Sequence, residues 1–293
     1  MYGYTPIALP FFAPSHRLQG HPLPTLMEVL ASTDFLVPPP NDGVKQMCCA
    51  RVGTHFVAKY GEDVRSIEGE SMLFVQQYTT IPVPEVYAIY TFGEGNTKTM
   101  IIMEFIQGIT LGKFIDTMAP QYIDIIRGML REQVDQLRRI PAPNYYGSIG
   151  YRPFYDWHQG YQYGPFNNIT DYINEAFDVI FPPFNNQRFD DLKAHRTAYF
   201  EWVVTTHGHG HPVFSHGDLH EQNVIIRWDG TPCIIDWEDA GFYPAYHEFL
   251  MTRLLECPLD FLGEEFPMES IIYFETREAW QEAENEDYIE RLG

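Results

Sequence analysis

Residues 213–241 read VFSHGDLHEQNVIIRWDGTPCIIDWEDAG. Two short apolar runs, 224–228 and 233–235, flank Asp229-Gly230, a dipeptide that favours a tight β-hairpin turn. A two-residue turn sets Trp228 opposite Thr231 and, counting back along both strands, Asn223 opposite Asp236. A three-residue turn shifts that pairing by one position. Asp218 precedes Asn223 on a loop that follows the apolar run 212–215. Two acids and an amide converging at a strand end form an oxygen donor set that suits Mg²⁺, a cation that also accepts phosphate oxygens.

The same order of residues satisfies the requirements of phosphoryl transfer. In the kinase template an Asp accepts the proton of the attacking hydroxyl, and an Asn and a later Asp hold the metal. Here the loop is His216-Gly217-Asp218-Leu219-His220-Glu221-Gln222-Asn223, and the later acid is Asp236 in Ile-Ile-Asp-Trp. These motifs resemble the aminoglycoside phosphotransferase-like and choline kinase-like family of small-molecule kinases, whose loop reads HGD(L)xxxN and whose metal acid sits in ID(W/F). The run 241–249, GFYPAYHEF, continues the likeness, particularly to the fungal branch. The resemblance implies an α+β, bilobal protein-kinase-like fold, with a small β-rich N-lobe and a larger, mostly helical C-lobe. It implies a leading arm over 1–40, an N-lobe over 41–107 and a C-lobe over 108–293.

Upstream, 45–52 and 55–60 read as a strand hairpin about Gly53-Thr54, and the second strand carries Lys59 among apolar neighbours. Kinases use a strand lysine to grip the α/β-phosphates and a helix glutamate to hold it. Taken alone, a strand-end lysine more often snorkels to water. Apolar spacing at Val64, Ile67, Met72 and Val75 predicts a helix over 62–79, carrying Glu68 and Glu70 as candidate partners. The family's ExxxMLxL-type helix favours Glu68. No GxGxxG is present; the glycines available to cover phosphates are Gly43 and Gly53.

Ile81-Pro82-Val83-Pro84 ends that helix, and two strands, 85–91 and 99–105, follow around the 93–96 turn. The run MIIMEFIQG at 100–108 resembles the family's linker between lobes. That resemblance implies the Glu104 carbonyl and Ile106 amide as the pair that reads adenine, with Met103 walling the pocket. Read by itself, the run is an interior strand entering a glycine turn.

The periodicity of Ile123, Ile126, Leu130, Val134 and Leu137 predicts a core helix over 119–140, stopped by Pro141. Residues 144–170 read as a long surface excursion whose aromatics either stack on an acceptor or pack on the lobe. Helices are expected at 169–181, 190–207 and 245–256. The alternating His207, His209 and His211 have no nearby Cys or acidic ligand at a zinc spacing, so metal binding there is disfavoured.

The whole chain narrows the classes. At 293 residues it buries a sizeable core, and 15% aromatic content marks it as globular. A formal charge of −21 repels nucleic acid and anionic membranes, and no run approaches the length of a spanning helix. No basic region precedes an apolar stretch at the start, so a soluble, cytoplasmic protein is expected. The four cysteines fit neither a disulfide framework nor a zinc site. The resemblance therefore implies an ATP- or GTP-dependent, Mg²⁺-dependent phosphotransferase for a small hydroxylated acceptor, with or without an amine, a metabolite or antibiotic. In it Asp218 is the base, Asn223 and Asp236 hold the metal, and Lys59, Glu68, Met103, Glu104 and Ile106 hold the nucleotide. A protein kinase is disfavoured, because Trp-Glu-Asp follows Asp236 where Phe-Gly would stand. A pseudokinase, or a kinase fold turned to other chemistry, is the alternative. The acceptor's identity and the oligomeric state are not encoded in any motif.

Overall fold

The computed structural model describes residues 4–39, 46–156, 160–180 and 210–254, with a few positions between 197 and 208. The expected helix over most of 190–207, His207, His209, Gly43 and the acidic tail 263–293 lie outside the described residues. The chain divides into two compact units, one drawn from 3–137 and 218–240, the other chiefly from 138–217 and 241–293.

In the first unit, six antiparallel strands form one sheet. They are β1 (Phe11–Phe12), β2 (Phe35–Val37), β3 (Met47–Val52), β4 (Phe56–Gly61), β5 (Val86–Phe92) and β6 (Lys98–Glu104), in the spatial order β1-β5-β6-β4-β3-β2. The central strands β4, β5 and β6 are apolar and buried over Phe56–Ala58, Val86–Ile89 and Met100–Met103, as strands covered on both faces must be. One face carries helix α2 (Ser66–Tyr78), which buries Ile67, Met72, Phe74 and Val75. Gly69 lets that helix come close to the sheet, since a Cβ there would sit 2.6 Å from Ile89 Cδ1. The other face packs Phe56, Ala58, Tyr87, Met100 and Ile102 against Val29 of helix α1 (Leu26–Leu30), with Leu18, Leu23 and Leu26 beside them.

Residues 4–39, which carry no periodic signal longer than one short helix, thus supply both edge strands and a cover for the sheet. Helix α1 starts in a capping box, with Thr25 and Glu28 each accepting from the other's end of the turn. Edge strands of two and three residues are too short to show alternation in sequence.

Helix α3 (Pro120–Arg138) confirms the predicted period, burying Ile126, Leu130, Val134 and Leu137. Its Gln133 side chain donates to the Pro232 carbonyl at 2.9 Å, tying the helix to the 224–234 hairpin. A three-residue strand, Gly108–Thr110, pairs with Val224–Arg227. Gly108 is required there, because a Cβ would lie 2.2 Å from the Ile226 carbonyl oxygen.

The hairpin register differs from the two-residue expectation. Val224 pairs with Ile234 and Ile226 with Pro232, and the Arg227 amide donates to Thr231. The turn is therefore Trp228-Asp229-Gly230. Gly230 adopts φ 86°, its amide donates to Arg227, and Asp229 Oδ1 accepts from the Thr231 amide. That is a tight turn closed by a left-handed glycine, the second commonest hairpin solution. Asn223 accordingly pairs with Ile235, whose amide donates to its carbonyl at 2.9 Å, and Asp236 lies one residue further on.

In the second unit, Pro212–Ser215 pairs antiparallel with Gly241–Pro244. The expected surface excursion is instead built in. Gly147 exchanges two backbone hydrogen bonds with Phe242, and Tyr145, Tyr146, Ile149, Phe154 and Phe166 are buried. Phe154 stacks on Tyr243 at 4.2 Å, so packing takes these buried aromatics, while Tyr151 stays 52% exposed. The helices expected at 169–181 and 245–256 appear as Ile169–Ile180 and His247–Leu254.

Candidate active site

Lys59 lies on β4 with its side chain buried, and it reaches three carboxylates. Its ammonium stands 2.8 Å from Glu68 Oε2, 2.7 Å from Asp236 Oδ1 and 3.7 Å from Glu238 Oε2. Burial opposes its charge, but Glu68, Asp236 and Glu238 outweigh burial and hold the amine well above the usual lysine range. Burial lifts the Glu68 carboxyl above its ordinary range, against the pull of Lys59. Of the two helix acids, Glu68 meets the lysine; Glu70 instead accepts from Ser66 and Tyr4.

Lys59, Glu68 and Asp236 line a cavity of about 450 Å³ within the first unit. Its other walls include Val57, Met103, Glu104, Ile106, Ile225 and Ile235, with Leu36 and Val37 from β2. Six of the eight residues singled out in the sequence therefore share one cavity. The segment leaving β6 turns along it. The Glu104 amide donates to Glu85 and the Phe105 amide to His55. Ile106 is buried, and among the described residues its amide donates to nothing. Ile106 also lines the cavity, so this segment brings a backbone donor to its wall.

Asp218 and Asn223 form a second cluster. A turn of 3-10 helix, Glu221–Asn223, folds the loop back, and His220 caps it by accepting from the Gln222 amide. Asn223 Nδ2 donates to both the Asp218 carbonyl oxygen, at 2.9 Å, and Asp218 Oδ2, at 3.0 Å. His220 Nε2 stands 3.5 Å from the same carboxylate oxygen. The hydrogen bond to Asp218 raises the His220 pKa, against burial. The ring is held between the Gln222 amide, which donates to Nδ1, and Asn223 Nδ2, 3.2 Å from Nε2. The backbone bond from Ile235 to Asn223 joins the two clusters.

Asp236 itself has φ 63°, in the left-handed region that non-glycine residues seldom enter. Such backbone strain collects at functional positions. The next residue anchors it: Trp237 is fully buried and its indole donates to the Ile234 carbonyl at 3.0 Å.

The carboxylate oxygens of Glu68, Asp236 and Glu238 lie within 4.8 Å of one another. They are the three carboxylates that Lys59 meets; of them Asp236, with 36% side-chain exposure, is the one open to the cavity as an oxygen donor of the kind Mg²⁺ prefers. Two further groups escaped the sequence reading. Glu248, in the second unit, accepts from the amides of His216 and Gly217 at 2.6 and 3.2 Å, fixing the backbone that leads to Asp218. Arg65 donates to the Glu238 carbonyl and to Asp239. Only the acid in GFYPAYHEF marked the first; nothing local marked the second.

A buried lysine–glutamate pair, an acid on a left-handed turn and the segment leaving β6 thus line one cavity of the first unit. The model of the phosphotransferase enzyme family matches residues 64–284, and the chain belongs to that family. No curated protein matches it. Among solved structures, aminoglycoside phosphotransferase APH(4)-Ia is similar with a TM-score of 0.57 and 16% identity over 89% of this chain and 90% of that one. A complex of APH(2")-IIia with GDP and kanamycin is similar with a TM-score of 0.52 and 16% identity, covering 90% and 93%. The ternary complex of a thermostable APH(4)-Ia mutant with ADP and hygromycin B matches with a TM-score of 0.54 at 15% identity. At these identities the likeness is one of fold, and it is the α+β, protein-kinase-like fold. No described helix is long and apolar enough to cross a membrane.

Proposed function

We propose that the protein is an ATP- or GTP-dependent O-kinase acting on a small hydroxylated acceptor. The observation that carries this reading is the Lys59 ammonium buried between Glu68 and Asp236 at one wall of the 450 Å³ cavity. A lone buried lysine pair is a structural device; one that lines a ligand-sized cavity beside an unpartnered Ile106 amide is built to receive something.

In this reading the base lies between Met103 and Ile235, its edge read by the Glu104 carbonyl and the Ile106 amide. Lys59, held by Glu68, steadies the α/β-phosphates. Asn223 and Asp236 are the residues that would hold Mg²⁺, which neutralises phosphate charge when bound. Asp218 takes the proton of the acceptor hydroxyl as its oxygen bonds to the γ-phosphorus and the bond to the departing nucleoside diphosphate breaks. Asn223 fixes that carboxylate through the hydrogen bond to Oδ2. Such catalysis rests on positioning and on charge stabilisation. The solved relatives hold ADP or GDP together with hygromycin B or kanamycin. Hydroxylated amines and aminosugars are therefore the first acceptors to screen.

The test follows label from the γ-phosphate of ATP and GTP into acceptors of those classes. Label in a phosphorylated product, lost in Asp218→Asn, supports the reading. Nucleotide binding with no transfer to any acceptor and no hydrolysis would favour a nucleotide-binding module instead.

A further inference from the structure

Segment 236–239 carries the proposed metal acid and two further acids, and it starts from a strained φ of 63° at Asp236. Trp237 anchors one side of it in the core. The other side is held by Arg65, the residue immediately before α2. One guanidinium nitrogen, Nη2, donates to the Glu238 carbonyl at 3.0 Å and to Asp239 Oδ1 at 3.1 Å. A terminal guanidinium nitrogen carries two protons, so both bonds are satisfied at once. The ion pair is three-quarters or more buried on both sides, at 25% and 21% side-chain exposure.

Asp239 needs this partner. Its carboxyl is near Glu238, Asp218 and Asp236, all of like charge, and the Arg65 guanidinium opposes them. Remove the guanidinium and the Glu238 carbonyl and Asp239 lose the donor they share, and Asp239, when ionised, is repelled from the cluster. Three residues along, Glu68 meets Lys59, and Lys59 meets Asp236. The start of α2 therefore touches segment 236–239 twice, once through Lys59 and once through Arg65.

We infer that Arg65 is a positioning residue that clamps segment 236–239 to the start of α2, so that Asp236 and the Lys59–Glu68 pair are presented together to the nucleotide phosphates. This rests on the kinase reading of the cavity and names a residue that the motifs of that reading do not contain. The clamp acts on the phosphate end alone. The wall formed by Met103 and Ile106 does not depend on it.

Calorimetry on the full chain tests this with two probes, a non-hydrolysable ATP analogue with Mg²⁺, and adenosine. R65A is expected to weaken the Mg²⁺–nucleotide analogue by roughly tenfold or more, the loss that follows from breaking a charge-assisted pair, and to leave adenosine unchanged. R65A/D239N, which removes the unbalanced carboxylate, is expected to recover most of that loss. Should R65A fail to fold, R65K keeps the charge on a shorter side chain whose ammonium cannot stand where Nη2 does, and an intermediate weakening is expected. Analogue affinity equal to wild type in R65A or R65K overturns the inference. So does equal weakening of both probes, or a double variant no better than R65A. A wild-type protein that binds neither probe overturns the kinase reading and the clamp with it; wild-type binding that R65A leaves intact overturns the clamp alone.

Discussion

Lys59 and Asp236 lie 177 positions apart in the chain and are joined by a 2.7 Å hydrogen bond between a buried ammonium and a carboxylate on a left-handed turn. The lysine is delivered by an apolar central strand, the acid by the far end of a hairpin. Each has a second tie, Lys59 to Glu68 and Asp236 through Trp237 to the core. That double anchoring fixes the charged groups at one wall of the cavity, and four consequences can be measured.

Lys59→Met leaves Glu68 buried without its cation. Breaking one side of a buried pair costs about 3–5 kcal/mol, so denaturant unfolding should show a large loss. Lys59→Met/Glu68→Gln, with the stranded charge removed, should be the more stable of the two variants. A double variant less stable than Lys59→Met contradicts the pairing.

Asp218→Asn keeps the size of the side chain and removes the base. Turnover should fall by about 10²–10⁴, the usual worth of a positioned general base, with nucleotide affinity unchanged. Near-normal turnover would remove Asp218 from the chemistry.

Asp239 gives a pH signature. Burial first, then Glu238, pushes its carboxyl from 3.8 up to about 7, with Arg65 opposing. A raised folded-state pKa means that the folded form binds the proton more tightly than the unfolded chain. The stabilisation is full below the unfolded value and is lost as pH rises through the folded one. Asp239→Asn should therefore gain stability relative to wild type between about pH 4 and pH 7. A stability difference that stays flat across that window contradicts the assignment.

Glu248→Ala removes the acceptor of the His216 and Gly217 amides, leaving two buried donors unmet. A cost of about 1–3 kcal/mol per stranded group is expected, and turnover should fall with it. Glu248→Gln keeps one amide oxygen as acceptor and should retain more stability than the alanine variant. Equal stability of the two would show that the capping bonds contribute nothing.

What the sequence revealed and what it hid follow from how local each signal is. Asp218, Asn223 and Asp236 were legible because loop, turn and strand fix their spacing within one short stretch. Lys59 and Glu68 were legible as a strand and a helix phase, although the choice between Glu68 and Glu70 came from the family's helix pattern. The hairpin register was not, since Asp229-Gly230 fits a two-residue turn as well as the three-residue one that Gly230 closes. The roles of residues 4–39 were hidden because strands of two or three residues show no period. Arg65 and Glu248 were hidden for another reason: their partners are backbone groups and acids 173 and 32 positions away, and no local pattern encodes such a contact.

The most direct test of the central claim is Mg²⁺-dependent binding of ATP and GTP, measured by calorimetry on wild type and Asp236→Ala. Binding by wild type that needs Mg²⁺ and is lost in Asp236→Ala is the predicted result. Nucleotide binding that is indifferent to both the metal and Asp236, or no binding of either nucleotide, would contradict the account.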